Sequence, residues 1–156
     1  MERDAQRLAE AAAQALSTRD RASDALGMKL IEVRPGYARM QMTVREDMLN
    51  PHGTTHGGLV FTLADSAFAY ASNSHNKVAV ASSCSIDFLR PAHLGETLTA
   101  TAVEQALIGR SGVYDVRVEN SKGELVALFR GKAAQIRGTV AQGAVEGSEP
   151  PRGDDS

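Results

Sequence analysis

The alternation of apolar and polar residues divides the chain into a helical start, two strand-rich stretches and a long helix between them. Leu8, Ala12 and Leu16 recur every fourth residue within 2–16, a spacing that predicts a surface-packed N-terminal helix. A period of two follows over 28–44, where a proline-glycine pair separates two extended runs. This second pattern predicts a hairpin.

An almost wholly apolar segment from about Leu59 to Asn73 predicts a helix enclosed by protein, because it contains no lysine, arginine or glutamate. Short turns join the strand-like runs that follow it, which are 78–89, 96–107, 112–120 and 124–136. Short turns favour antiparallel pairing. The predicted fold class is therefore α+β, with a four- or five-stranded antiparallel sheet curved around the central helix.

The length and the distribution of composition indicate one domain. A chain of 156 residues suits a single core, and we expect this domain to span 1–138, with 1–23 as an N-terminal helical extension. Glycine, proline, serine and acidic residues dominate 139–156, which cannot bury enough apolar area to offset the entropy of ordering. We therefore predict a disordered C-terminal tail there.

The charge balance excludes some classes of partner. Seventeen basic and nineteen acidic residues give a net charge of -2, so no overall positive field attracts nucleic acid or an anionic membrane. No apolar run is long enough to span a bilayer. The single cysteine, Cys84, cannot form an intrachain disulfide, and the N-terminus lacks the apolar core of a secretory signal. We expect a cytoplasmic protein without nucleic-acid or membrane partners.

One acidic residue, Asp65, stands inside the apolar helix, flanked at helical spacing by Phe61 and Phe68. Burying an ionised carboxylate without partners costs several kcal/mol. Such a group is retained only if it is paired, hydrogen-bonded, protonated or used in chemistry. Two interpretations are open at this point: a contact in a polar pocket or subunit interface, or a catalytic acid.

The glycine pair before the same helix favours the catalytic interpretation. Gly57 and Gly58 would present backbone N–H groups that have no intrahelical acceptors and no side chains in front of them. Such amides can stabilise the negative charge that develops on a carbonyl oxygen during nucleophilic attack. They lie about 10 Å from Asp65 along the helix, too far to act on one carbonyl. A second subunit would bring the two halves together.

Four segments in the same order carry a family resemblance: "MLNPHGTTHGGLVFTLADSAFAYASNS", "VAVASSCSIDFLRPAHLGETLTATA", "SGVYDVRVEN" and "ALFRGKAAQI". Over roughly 24–138 the chain resembles the hotdog-fold thioesterases of the PaaI-like group, which includes phenylacetyl-CoA thioesterases. The resemblance implies a hotdog fold, in which an antiparallel sheet wraps a long central helix. It also implies homodimers whose sheets join, stacked into homotetramers, with each active site between two protomers.

The resemblance also assigns catalytic roles. Asp65 matches the family's catalytic acid, acting as general base or nucleophile, and Gly57 matches the glycine whose amide holds the thioester oxygen. His56 and Asn50 match the loop residues that brace the glycine turn. Ser66 follows the acid where related sequences carry a small polar residue.

Other candidate substrate contacts match the family's motif less directly. A serine that holds water in some relatives aligns with Ala81, so Ser82 or Ser83 takes that role only if the register differs. Arg90 and Arg110 lie in turns, where a guanidinium group could meet a phosphate of CoA or be an ordinary solvated side chain. The predicted substrate-binding set is therefore Gly58, Ser66, Phe61, Ser82, Ser83, Arg90 and Arg110.

Two other groups of residues have side chains suited to a ligand. His52 and His56 are four residues apart, but neighbouring Pro51 and Gly53 predict a loop and no third ligand follows, so we predict no metal. Four aromatic residues could line an acyl pocket or belong to the core: Phe61, Phe68, Tyr70 and Phe88.

The predicted function is hydrolysis of aryl- or medium-chain acyl-CoA to the free acid and CoA, without a cofactor. Two alternatives remain open at this point. One is a non-catalytic, regulatory module that binds acyl-CoA. The other is a hydratase or dehydratase on the same fold, which would be expected to place a histidine, such as His56, against the β-carbon of its substrate.

Overall fold

A computed structural model describes residues 2–142, in which one antiparallel sheet wraps around a central helix. The helices are α1 (Glu2–Ser17), α2 (Arg21–Ala25) and α3 (Gly57–Ser72), with a 3-10 turn at Glu46–Met48. The strands are β1 (Lys29–Arg34), β2 (Tyr37–Thr43), β3 (Lys77–Phe88), β4 (Thr97–Ile108), β5 (Ser111–Glu119) and β6 (Leu125–Thr139).

The strand order across the sheet is β1-β2-β4-β5-β6-β3, and every neighbouring pair is antiparallel. The predicted four or five strands were too few, because the N-terminal hairpin joins the same sheet through pairing of β2 with β4. The predicted α+β hotdog arrangement is confirmed. Two strands, β1 and β3, are left as the edges of the sheet.

The core lies between α3 and the sheet. The helix contacts all six strands and buries Val60, Leu63, Ala64, Ala67, Phe68, Tyr70 and Ala71. Alternate strand residues close over it, among them Met40, Met42, Leu98, Val116 and Val118. The sequence prediction of an enclosed helix is confirmed, and this enclosure explains why α3 carries apolar residues on nearly every side.

The N-terminal helix packs on this core through a narrow alanine face. Ala9, Ala12 and Ala13 are buried, and α1 contacts β1 and α3. The hydroxyl of Tyr70 donates a hydrogen bond to the Asp20 carboxylate at 3.0 Å, which ties the start of α2 to the central helix. Within residues 2–142, neither α1 nor any other helix combines the length and apolar character needed to cross a membrane.

The first residues of the predicted tail belong to the folded domain. Strand β6 continues to Thr139, and Val140 and Ala141 are buried. The backbone carbonyl of Asn76 accepts from the Val140 N–H at 3.2 Å, and its side-chain oxygen accepts from the Ala141 N–H at 2.8 Å. The prediction of disorder is therefore wrong for 139–141, because these bonds and this burial offset the entropy of ordering. The part of the predicted tail from 143 onward lies outside the described residues.

Candidate active site

The loop before α3 is held in shape by the side chain of Asn50. Its Oδ1 accepts from the N–H groups of His52 at 2.9 Å and Thr54 at 3.2 Å, and its Nδ2 donates to Thr54 Oγ1 at 3.0 Å. An asparagine that bonds the backbone two and four residues ahead closes a tight turn. Asn50 therefore has the bracing geometry expected from the resemblance.

The end of this loop is anchored to two other parts of the chain. Both the N–H and the hydroxyl of Thr55 donate to the carbonyl of Ala92, at 2.8 and 3.0 Å. The His56 N–H donates to the carbonyl of Met48 at 2.8 Å. These bonds hold the first residue of α3 at a defined position between the loop and the β3–β4 connection.

His56 caps the helix and decides which backbone amide remains unbonded. Its Nδ1 accepts from the Gly58 N–H at 3.0 Å, so that donor is already used. Within residues 2–142 the Gly57 N–H has no hydrogen-bond acceptor. Helix α3 begins at Gly57, two residues before the predicted Leu59, because this cap satisfies its first turn. Of the two glycine amides predicted from the sequence, Gly57 alone is left to meet a substrate.

A pocket of about 340 Å³ opens beside this amide. Its lining includes Asn50, Thr55, Gly57, Val60, Phe88, Arg90, Ala92 and Val126. The ring of Phe88 packs directly against Gly57, since a Cβ at Gly57 would lie only 3.2 Å from Phe88 Cζ. A side chain at this position would require the exposed Phe88 ring to shift by a few tenths of an ångström.

Asp65 lies two turns further along α3 and is half-buried, with Phe61 one turn before it and Phe68 one turn after it on the helix. Among the described residues its carboxylate has no hydrogen-bond or ion-pair partner. Burial raises the pKa of Asp65 above the ordinary value for an aspartate. An unpaired carboxylate of raised pKa has the properties of a general base.

Cys84 on β3 lies within electrostatic reach of this carboxylate. Burial, followed by the negative charge of Asp65, raises the pKa of the thiol. A raised pKa leaves less thiolate at neutral pH. These shifts argue against Cys84 as a nucleophile. The expectation that this cysteine is a small buried apolar residue is wrong, because its side chain is exposed on the edge strand.

Three of the predicted substrate-binding residues are engaged within the chain. The hydroxyl of Ser66 donates to the Thr62 carbonyl at 2.7 Å, and that of Ser82 donates to the Lys132 carbonyl at 3.1 Å. The ring of Phe61 meets that of Phe129 edge-on, with 5.3 Å between centroids. Ser83 is exposed on the edge strand.

The two predicted arginines occupy different regions. Arg90 lines the pocket beside Gly57, where its Nη1 donates to the Leu125 carbonyl at 3.0 Å and its Nε lies 3.5 Å from a Glu124 oxygen. Arg110 lies in the turn between β4 and β5, away from the lining of that pocket. The structure thus brings Arg90, Asn50 and Gly57 together and leaves Arg110 apart from them.

Sequence reasoning missed the contribution of Thr55 and could not separate Phe88 from the core aromatic residues. Phe68 and Tyr70 are buried, whereas Phe88 is 55% exposed beside Gly57. The alternation along β3 places Ile86 and Phe88 on one face of the strand. It does not reveal that α3 starts at Gly57 and leaves Phe88 uncovered. No group of three or more potential metal ligands occurs within 2–142.

A hotdog fold that carries a free amide at the start of its central helix, and an unpaired carboxylate further along it, has the elements of an acyl-transfer site. Residues 52–127 match the model of the thioesterase superfamily. The acyl-coenzyme A thioesterase PaaI of Escherichia coli is 49% identical over 128 residues, which are 82% of this chain and 91% of that protein. The chain belongs to the thioesterase superfamily and is a thioester hydrolase.

Solved structures agree with this membership. The E. coli PaaI protein from the phenylacetic acid degradation operon matches with a TM-score of 0.85 and 48% identity, covering 86% of this chain and 97% of that one. A Streptococcus mutans protein bound to acetyl-CoA matches with a TM-score of 0.68 and 28% identity, covering 72% and 90%. The hotdog fold is therefore shared along most of the chain.

The stability of an Asp65→Asn variant tests whether the carboxylate is unpaired. An acid whose pKa is raised by folding destabilises the native state increasingly as the pH rises through that pKa. We expect Asp65→Asn to raise Tm by a few degrees at neutral pH, with a smaller gain in acid. Asp87→Asn, on an exposed part of β3, is the control and should leave Tm unchanged. A lower Tm for Asp65→Asn in calorimetry would contradict the absence of a partner.

Proposed function

We propose that this protein is an acyl-CoA thioesterase whose active site combines Gly57 of one protomer with Asp65 of another. The observation that carries the proposal is the pair of unsatisfied polar groups on α3. Within residues 2–142, the Gly57 N–H has no acceptor and the Asp65 carboxylate has no donor. Both groups are costly to leave unpaired unless a ligand or a second chain meets them.

The edge strand β3 supports a dimeric site. Most of its residues are exposed, and its outer edge has no neighbouring strand among the described residues. Long exposed edges of this kind pair readily with another chain. Cys84, near Asp65, lies in the middle of β3, whereas Phe88, against Gly57, ends it. Antiparallel pairing of two β3 edges therefore moves the Gly57 of each protomer towards the Asp65 of its partner.

In this arrangement the Gly57 N–H and the N-terminal dipole of α3 bind the thioester oxygen. Asp65 of the other protomer removes a proton from water, whose oxygen attacks the carbonyl carbon. The tetrahedral intermediate then collapses, the carbon–sulfur bond breaks, and the CoA thiolate leaves and takes up a proton. Direct attack by Asp65, with an anhydride that water later cleaves, is the other route consistent with these positions. Either route needs Asp65 ionised.

The substrate class rests on the relatives and on the pocket. One relative is named an acyl-coenzyme A thioesterase, its operon degrades phenylacetic acid, and a more distant neighbour is bound to acetyl-CoA. The pocket beside Gly57, lined in part by Val60, Ala92 and Val126, has space for an acyl group. We therefore propose aryl- or medium-chain acyl-CoA as the substrate. Stacking of dimers into tetramers and a cytoplasmic location stay predictions.

The alternative chemistry of a hydratase or dehydratase needs a histidine free to move a proton at the β-carbon. Nδ1 of His56 is engaged by the Gly58 N–H, and its ring lies at the helix cap. This geometry supports the orienting role of His56. The alternative of a non-catalytic module is disfavoured, because the chain belongs to a family of thioester hydrolases.

Removing the Gly57 amide hydrogen is the sharpest test of the oxyanion role. Proline is well tolerated at the first position of a helix, and His56 has the extended backbone, φ -60° and ψ 129°, that a following proline requires. We expect Gly57→Pro to lower kcat about 100-fold or more, the usual effect of losing one oxyanion donor. Gly57→Ala adds a Cβ at the same place but keeps the N–H. It should retain much more activity, and equal losses in the two variants would contradict the role.

Mixing two inactive variants tests whether the site is shared. Asp65→Asn and Gly57→Pro homodimers should each be inactive in a thiol-release assay with phenylacetyl-CoA. A heterodimer restores one intact site, because one protomer keeps Asp65 and the other keeps Gly57. After denaturation and refolding of a 1:1 mixture, we expect about a quarter of wild-type activity from random pairing. Absence of any recovery, with heterodimers verified by native mass spectrometry, would place both groups in one protomer.

The pH profile of kcat/KM reports the ionisation of Asp65 in the free enzyme. Since burial raises the pKa of Asp65 and the reaction needs the ionised form, activity should fall with decreasing pH at a higher value than an ordinary aspartate would give. The Gly57→Ala variant keeps the carboxylate and should show the same acid limb. An acid limb at the ordinary pKa of aspartate would contradict the assignment of Asp65 as the base.

A further inference from the structure

We propose that Phe88 is the residue that selects aromatic acyl groups over saturated ones of the same size. The inference deepens the proposed function and rests on it, because it needs the thioester carbonyl to lie at the Gly57 amide. It depends on three features of the described chain: the contact of Phe88 with Gly57, the exposure of its ring, and the apolar pocket below it.

The ring of Phe88 is held at the point where the acyl group would begin. Its outer edge faces Gly57, with Cζ, Cε1 and Cε2 at 3.2, 3.4 and 3.6 Å from the position that a Cβ on Gly57 would take. A carbonyl oxygen bonded to the Gly57 N–H would place its carbon, and the first atoms of the acyl group, within van der Waals range of this ring. The contact is made by the same glycine that would bind the carbonyl.

The exposure of Phe88 follows from where α3 begins. On β3 the inward face carries Ile86, which packs on the core, and then Phe88, which is 55% exposed. Helix α3 starts at Gly57 and has no earlier turn to cover the end of the strand. Phe68, in the body of the helix, and Phe129, on β6, are both buried. The ring of Phe88 is therefore left exposed beside the Gly57 amide.

The pocket below Phe88 has small apolar walls. Val60, Ala92 and Val126 are buried side chains that line it, and Asn50 and Arg90 supply its polar groups. An acyl group that enters this space lies with one side towards the phenyl ring. Aromatic rings pair in offset-stacked or edge-to-face arrangements with centroids 4.5–7 Å apart, and such pairs gain free energy beyond the area they bury. A saturated ring of equal carbon number gains the burial but lacks this electrostatic term.

Phenylacetyl-CoA and cyclohexylacetyl-CoA form a matched pair of substrates for the test, because they differ only in the aromaticity of the ring. The measured quantity is the ratio of their kcat/KM values in the wild type and in three variants. Phe88→Tyr keeps the aromatic ring, and Phe88→Leu keeps an apolar side chain without it. Leu94→Ala removes an equally exposed side chain in the β3–β4 connection, at 55%, outside the pocket lining, and serves as the control.

We expect the wild type to prefer the phenyl substrate, and Phe88→Leu to reduce this preference about threefold to tenfold. Phe88→Tyr and Leu94→Ala should keep it. If Phe88→Leu lowers kcat/KM equally for both substrates, the ring contacts the CoA portion that they share. If it changes neither kcat/KM value, the ring contacts neither acyl group. Either result would overturn the inference.

The same preference can be measured without turnover, which separates this inference from the proposed function. On the Asp65→Asn background, the ratio of Kd values for the two thioesters should show the same loss with Phe88→Leu and the same retention with Phe88→Tyr. If the wild type hydrolyses neither thioester, the proposed function fails, and the Kd ratio alone decides the role of Phe88. A Kd ratio that Phe88→Leu leaves unchanged would overturn it.

Discussion

The hydrogen bond from the Gly58 N–H to Nδ1 of His56 is the interaction on which the candidate site depends. A helix start exposes several backbone donors, and this bond removes one of them while leaving its neighbour at Gly57 without an acceptor within the described residues. The loop bonds of Asn50 and Thr55 hold His56 where it can form this cap. A single directed amide at a helix N-terminus is what polarisation of one carbonyl requires.

Asp65, on the same helix, is unfavourable for the stability of the fold. Burial disfavours its ionised form, and no partner within the described chain compensates. A core helix of this composition would be more stable with an apolar or neutral residue in that place. Retaining the acid is understandable if the helix serves chemistry as well as packing. The open edge of β3 is also unfavourable in a single chain, because its outer backbone groups have no neighbouring strand among the described residues. In the proposed dimer a second chain pairs with them.

The position at which α3 begins separates the aromatic residues packed in the core from the one beside the pocket. The ring of Phe129 on β6 packs against both Phe61 and Phe68 of the helix, with centroids 5.3 and 5.8 Å away. Phe88 lies beyond the first turn and is left beside the pocket. The position at which the helix starts therefore decides both which amide is free and which ring a substrate can reach.

The sequence by itself determined the elements, their antiparallel arrangement and the enclosure of α3, because these follow from local periodicity. It also pointed to Asp65 and Gly57 as candidate site residues, and the family resemblance added His56 and Asn50. Tertiary structure decided what depends on contacts between distant segments. It added the hairpin to the sheet, ordered Val140 and Ala141 through Asn76, used the Gly58 amide in the helix cap and separated Arg90 from Arg110. It also set Phe88 against Gly57, since hydrophobic character alone does not reveal which residue the rest of the fold leaves uncovered.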